Sequence, residues 1–141
     1  MPFKKRIEVT AAVICQDGKI LITERPEGTH LEGLWEFPGG KKEEAETLEE
    51  CIVREIKEEL GVHIKPEKLL LKVNHEYETK IVELYVFECN LIEGTPAPLE
   101  GQDMRWLEPD ELSAYTFPPP DLKIIDFLCR KSNLYKPRSI P

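Results

Sequence analysis

Between residues 47 and 61 the sequence spells out a helix together with both of its ends, and the rest of the chain is read around that segment. Leu48, Cys51, Ile52, Ile56 and Leu60 recur at spacings of three and four, which puts apolar side chains on one helical face. Thr47 precedes the first of them and Glu50 follows it by three, the pattern of a capping box. Gly61 stands just past the last, where helices commonly stop. The flanking segments read as strands. Residues 7–15 and 19–24 are rich in Val, Ile, Thr and Ala and flank Asp17-Gly18, a hairpin signal. Residues 34–37 form a short extended piece that the breaker cluster Pro38-Gly39-Gly40 ends. Residues 69–77 and 80–90 predict two more strands. The second is almost continuously apolar from Ile81 to Phe87 and therefore central. A short strand at 104–107, a short helix at 109–114 and a second helix at 121–131 follow. The tail, 132–141, is expected to fray. Strands and helices in this order predict one α/β domain over residues 1–141.

Charge and cysteine usage narrow the function classes. The 141 residues carry a formal net charge of −8, which repels nucleic-acid phosphates and argues against a nucleic-acid polymer as partner. A nucleotide would be repelled too, unless metal ions neutralise its phosphates. Cys15, Cys51, Cys89 and Cys129 are scattered, without a zinc-binding spacing, and read as small buried thiols of a reducing compartment. No apolar run approaches a membrane span and no signal peptide is visible. The expectation is therefore no membrane association and a cytoplasmic location.

The chemistry concentrates at 54–59. Glu55, Glu58 and Glu59 stand at i, i+3 and i+4, so their carboxylates project from one helical face. Three such charges repel one another unless something cationic offsets them. A hard divalent ion with oxygen ligands does so; magnesium suits the site and manganese is the alternative. Taken alone, this segment reads as a solvated helix face with Arg54 paired locally. Its context changes that. Gly40, five residues, Glu46, seven residues, and Arg54-Glu55-Ile56-Lys57-Glu58-Glu59-Leu60-Gly61-Val62 match every fixed position of the Nudix box. Average residue usage gives such a match by chance on the order of once in a million chains. The sequence thus resembles the Nudix family.

The resemblance implies a mixed β-sheet sandwiched between α-helices. It implies that Glu55, Glu58 and Glu59 bind divalent cations and that Arg54 orients them, partly by pairing with Glu46. It also implies that Gly39 and Gly40 bring backbone close to metal and phosphates, with a carbonyl near Gly40 as a further ligand. The likeness extends beyond the box, to the MutT-type branch that cleanses nucleotide pools. Residues 34–40 look like that branch's entry into the box. Glu100 falls where the branch places another acid facing the metal. Residues 117–121 resemble its base-pocket loop.

Each outlying residue has a plainer alternative. Glu100 is otherwise a loop carboxylate, Phe37 a core side chain and Arg25 a surface residue. His75 and Tyr77, two apart on one strand face, line the base pocket or serve structure only. Asp121 reads the base, caps the last helix, or does both. Members specific for 8-oxo-dGTP carry asparagine at the matching place, whereas an ionised aspartate only accepts hydrogen bonds. Cytidine and oxidised-purine substrates both stay open. The expected reaction is magnesium-dependent hydrolysis of a nucleoside triphosphate to a monophosphate and pyrophosphate, by a monomer or homodimer. The alternatives are a dinucleoside polyphosphate or nucleotide sugar as substrate, or a Nudix module that only binds nucleotides.

Overall fold

The computed structural model describes residues 4–29 and 31–130; the expected frayed tail lies outside them. Strand β1 (Lys5–Gln16) turns through Asp17 and Gly18, at φ 53° and 78°, into β2 (Lys19–Glu24), the hairpin that the sequence predicts. On its other edge β1 runs parallel to β6 (Lys80–Glu93), from Lys5 opposite Lys80 to Ile14 opposite Cys89. Strand β5 (His63–Glu76) pairs antiparallel with β6. Strands β3 (Trp35–Glu36) and β7 (Met104–Leu107) pair antiparallel with β2, and β4 (Gly39–Lys41) pairs antiparallel with β1. The sheet is therefore mixed.

Side chains alternate across a strand, and here both faces are buried. Ala11 and Val13 of β1 join Ile20, Ile22, Val86, Ile124 and Leu128 on one side. Ala12 and Ile14 join Leu21, Ile52, Ile56, Leu60 and Phe87 on the other. Helix α1 (Leu48–Leu60) covers the second face and α2 (Pro119–Arg130) the first. The sheet lies between helices, as the resemblance implies. Ile52, Ile56 and Leu60 are fully buried, each contributing about 1.5–3 kcal/mol of apolar transfer.

Three expectations need correction. Strand β5 begins at His63, six residues before the predicted start. Its early part is interrupted by Pro66 and a register shift between Pro66 and Lys68, and such a bulge hides a period of two. Gly39 and Gly40 do not merely end an extended piece: they open β4 and lie on β1. Asp121 is not the cap of the last helix, because α2 already begins at Pro119. The segment at Pro109–Ala114 is a 3-10 turn. Among the described residues, no helix is long and apolar enough to cross a membrane.

Candidate active site

Both ends of α1 are fastened, and this sets where its acidic side chains point. Thr47 Oγ1 accepts from the Glu50 amide at 3.1 Å, and Glu50 Oε1 accepts from the Thr47 amide at 2.8 Å. At the far end the Gly61 amide donates to the Lys57 carbonyl at 3.0 Å. The stripe that buries Cys51, Ile52, Ile56 and Leu60 also buries Glu59, whose residue is 7% exposed.

Arg54 ties this helix to the segment before it. Its Nε and Nη2 donate to both oxygens of Glu46, at 3.0 and 2.7 Å. Nη2 also reaches the Lys41 carbonyl at 3.1 Å, while Nη1 donates to Glu55 at 3.0 Å and Glu58 at 3.2 Å. The forked guanidinium suits such bidentate bonding. It draws the Glu46 carboxyl down to about 2 and raises its own affinity for its proton.

Two glycines let backbone and carboxylate meet. A Cβ at Gly39 would collide with the Thr10 carbonyl of β1, and one at Gly40 would collide with the Glu55 carboxyl. Without side chains, β4 lies flat on β1 and Glu55 lies flat on β4. The Gly40 carbonyl itself is turned to the interior, accepting from Thr10 Oγ1 at 3.2 Å and from Cys51 Sγ at 3.6 Å.

Above this floor opens an acidic cleft of about 240 Å³. Glu36, Glu55, Glu59 and Glu100 line it, with Arg25, Gly39, Gly40 and Gln102. The Glu100 amide donates to Gln102 Oε1 at 3.0 Å. Burial, reinforced by Glu36, Glu55 and Glu100, pushes the Glu59 carboxyl up to about 9. Burial likewise raises Glu36 to about 7, although Arg25, at 3.3 Å, pulls it down. Glu55 is also raised, first by burial. Among the described residues, no three His, Cys, Asp or Glu side chains converge as a ready-made cage; Glu55 and Glu58 are drawn to Arg54 instead. The donor set nevertheless fits a divalent cation. It is all oxygen, and burial raises the proton affinity of Glu36, Glu55 and Glu59 for want of a nearer positive charge.

An apolar cleft of about 320 Å³ adjoins it and shares Arg25, Glu36, Gly39, Gly40 and Lys41. Ile7, Val9, Val82, Leu84, Pro118 and Pro120 form much of its wall. Phe37 lines the cleft while 2% exposed and stacked on Phe117 at 5.8 Å. Asp121 sits at the bottom, 8% exposed, where its Oδ2 accepts from the Phe37 amide at 3.1 Å. Burial first, then Glu36, pushes it up to about 8.

The residues singled out from the sequence separate here. Arg25, Phe37, Gly39, Gly40, Glu55, Glu59, Glu100, Tyr77 and Asp121 line one or both clefts. Glu58 does not: its side chain is 55% exposed and bonded to Arg54. His75 does not line them either; it packs against the edge of Tyr77 at 4.6 Å. Sequence reasoning missed Glu36, Lys41 and Lys80, which the sheet brings to the clefts. The one available signal was Glu36 itself, an acid inside the apolar run Leu34-Trp35-Glu36-Phe37.

An α/β sandwich with an acidic, glycine-floored cleft beside an apolar one is the class that this fold and site define. The sequence pattern described as the NUDIX domain matches residues 9–127, and the chain belongs to that family of hydrolases, whose members need a divalent metal. It is 36% identical to the CTP pyrophosphohydrolase of Escherichia coli (strain K12), over 86% of this chain and 90% of that one. It is 37% identical to the 8-oxo-dGTP diphosphatase of Haemophilus influenzae, over 92% of this chain and 96% of that one. The crystal structure of a MutT protein from Methanosarcina mazei superposes with a TM-score of 0.80 at 28% identity, covering 96% of this chain and all of that one.

Proposed function

We propose that this chain, acting as one Nudix domain, hydrolyses a nucleoside triphosphate to the monophosphate and pyrophosphate. The phosphates lie in the acidic cleft and the base in the apolar one. A water oxygen forms a new bond to phosphorus as a phosphoanhydride bond breaks, and pyrophosphate leaves. The observation that carries this reading is the shared rim: an oxygen-lined, cation-suited cleft opens directly into an apolar slot of ligand size.

Glu55, Glu59 and Glu100 would hold the divalent cations, for which we propose magnesium. The bound ions would neutralise phosphate charge and lower the pKa of water. Because the Gly40 carbonyl is already engaged by Thr10 and Cys51, we assign the backbone oxygen of the set to Gly39, as consecutive carbonyls of an extended strand point to opposite sides. Glu58 takes the outer place, sharing Arg54 with Glu55. Glu59 is the group best sited to hold or take the water's proton, since it is buried among three other acids of the cleft. Arg25 brings positive charge from the rim to the phosphates, with Glu36 as its partner.

Asp121 decides which base is read. Its raised pKa leaves it protonated at neutral pH, so it donates from one oxygen and accepts at the other, as an asparagine amide does. That pattern complements an 8-oxo-purine, whose O6 accepts and whose N7–H donates. We therefore favour oxidised purine triphosphates such as 8-oxo-dGTP, in the service of nucleotide-pool sanitation. Cytidine triphosphate is the second reading: once ionised, Asp121 accepts from an exocyclic amine, and one relative bears that activity in its name. Tyr77 walls the slot, with His75 bracing it.

The test is steady-state pyrophosphate release with magnesium on 8-oxo-dGTP, dGTP, CTP, dCTP, 5-hydroxy-CTP and 2-hydroxy-dATP at pH 7. Preference for 8-oxo-dGTP supports the protonated Asp121. Preference for the cytidine substrates overturns it in favour of the second reading. Turnover confined to dinucleoside polyphosphates or nucleotide sugars would overturn the triphosphate assignment.

A further inference from the structure

Thr10 is a hydroxyl where the core has no need of one. It lies on β1, 1% exposed, next to Ala11 and Ala12. A valine of the same shape would avoid the cost of burying a polar group. Its register partner across the ladder is Gly40. Its Oγ1 stands 3.2 Å from the Gly40 carbonyl and 3.3 Å from the Sγ of Cys51. Cys51 Sγ in turn lies 3.6 Å from the same carbonyl. Cys51 is fully buried on α1, one turn before Glu55 and on the same side of the helix.

These contacts form one continuous arrangement. Burial pushes the Cys51 thiol up to about 11, so it keeps its hydrogen at neutral pH. The thiol and the Thr10 hydroxyl then both donate to the Gly40 carbonyl, with their Sγ and Oγ1 in contact. Each hydrogen has one acceptor. The Gly40 peptide is held from beneath by β1 and α1 together, while Glu55 covers its other side so closely that no side chain fits there. Any rotation of that peptide would press on the Glu55 carboxyl or withdraw support from it.

We propose that Thr10, seated by Cys51, is a positioning residue: it fixes the Gly40 peptide and, through it, the direction in which Glu55 presents its carboxylate to the divalent cation. The proposal rests on the reading above, in which Glu55 is a cation ligand. Groups that orient a metal's ligands typically cost about 10–100-fold in metal affinity when removed.

Direct Mn²⁺ binding, followed by the electron paramagnetic resonance of the free ion, tests this without relying on turnover. Thr10→Val should weaken Mn²⁺ binding about tenfold and move the carbonyl ¹³C resonance of Gly40, and Thr10→Ser should restore both. Mn²⁺ affinity in Thr10→Val within twofold of the parent's overturns the proposal, whatever happens to its melting temperature. Should Thr10→Val not fold, Cys51→Ala carries the test. Weaker Mn²⁺ binding there supports the proposal and parent-like binding overturns it. Glu55→Gln separates the two layers. If it abolishes Mn²⁺ binding while Thr10→Val does not weaken it, the cation site stands and the positioning role falls. If Glu55→Gln binds Mn²⁺ like the parent, the cation reading falls and takes the proposal with it.

Discussion

Two clefts meet at Arg25, Glu36, Gly39, Gly40 and Lys41, and the acids on one side of that rim are assembled differently from the apolar wall on the other. The acidic side takes Glu55 and Glu59 from a single helical turn of α1 and Gly39 and Gly40 from the strand just before it; the end of β2 with its loop, Glu36 of β3, and Glu100 with Gln102 complete it. The apolar side takes Ile7 and Val9 from β1, Val82 and Leu84 from β6, and Pro118, Pro120 and Asp121 from the start of α2. The two acids from one turn of helix keep their relative geometry wherever the helix goes. A site made from three distant segments exists only once the sheet has closed. The two sides also spend stability differently. Each buries acids against their preference for water, but the acidic side holds four close together, whereas the apolar side holds Asp121 among hydrocarbon, with the Phe37 amide as its donor.

The largest expected effect tests the acidic side alone. Glu59→Gln should cut turnover about 10²–10⁴-fold and, in the presence of chelator, raise the melting temperature, because a buried acid among acids is replaced by a neutral amide. Pyrophosphate release and thermal unfolding measure the two. Turnover within threefold of the parent's would remove Glu59 from the mechanism.

The next sharpens the apolar side. As pH rises through about 8, Asp121 loses the proton that lets it donate. The ratio of kcat/KM for 8-oxo-dGTP over CTP should then fall about tenfold, the value of one hydrogen bond to a buried group. Taking a ratio cancels whatever the acidic cleft does to both substrates. Asp121→Asn should leave the ratio flat with pH; a pH-dependent ratio in that variant would assign base reading elsewhere.

Both sides contribute to a third effect, on stability. Glu59 and Glu36 sit at about 9 and 7 against an ordinary 4.5, and Asp121 at about 8 against 3.8. The folded chain therefore keeps protons that the unfolded chain has released, and stability falls as pH climbs from about 4 to 9. In chelator, the melting temperature should drop by several degrees over that window. Magnesium should flatten the drop by stabilising the ionised acidic cleft, leaving the part due to Asp121. A melting temperature that rises with pH in chelator would contradict the burial of these acids. The smallest effect concerns His75, which braces Tyr77 without lining the slot. His75→Ala should raise KM about threefold, the worth of a lost edge-to-face contact, and leave kcat unchanged.

The difference between the clefts also explains what could be read before the fold was known. Helix α1, its capping box, its glycine stop and its carboxylate stripe were legible because each depends on neighbours within four residues. The hairpin at Asp17-Gly18 was legible for the same reason. The early part of β5 was not, since Pro66 and a bulge break its period. Spacing alone places Glu58 on one face with Glu55 and Glu59, and in the fold it lies on the outer edge of the stripe, where Arg54 meets it. His75 and Tyr77 share a strand face, but only Tyr77, just past the strand's end, reaches the slot.

Sequence by itself determined that this chain carries a capped amphipathic helix presenting clustered acids after a paired glycine, and with it the family and the class of chemistry. Those are local matters, settled by helical period and the absence of a Cβ. Only the tertiary structure decided that Glu36 joins the acids, that Thr10 and Cys51 hold Gly40, and that Asp121 bonds the amide of a residue 84 positions away and has its pKa raised by burial. Protonation and peptide orientation are set by desolvation and by contacts across the closed sheet, and no stretch of sequence contains either until its distant partners arrive.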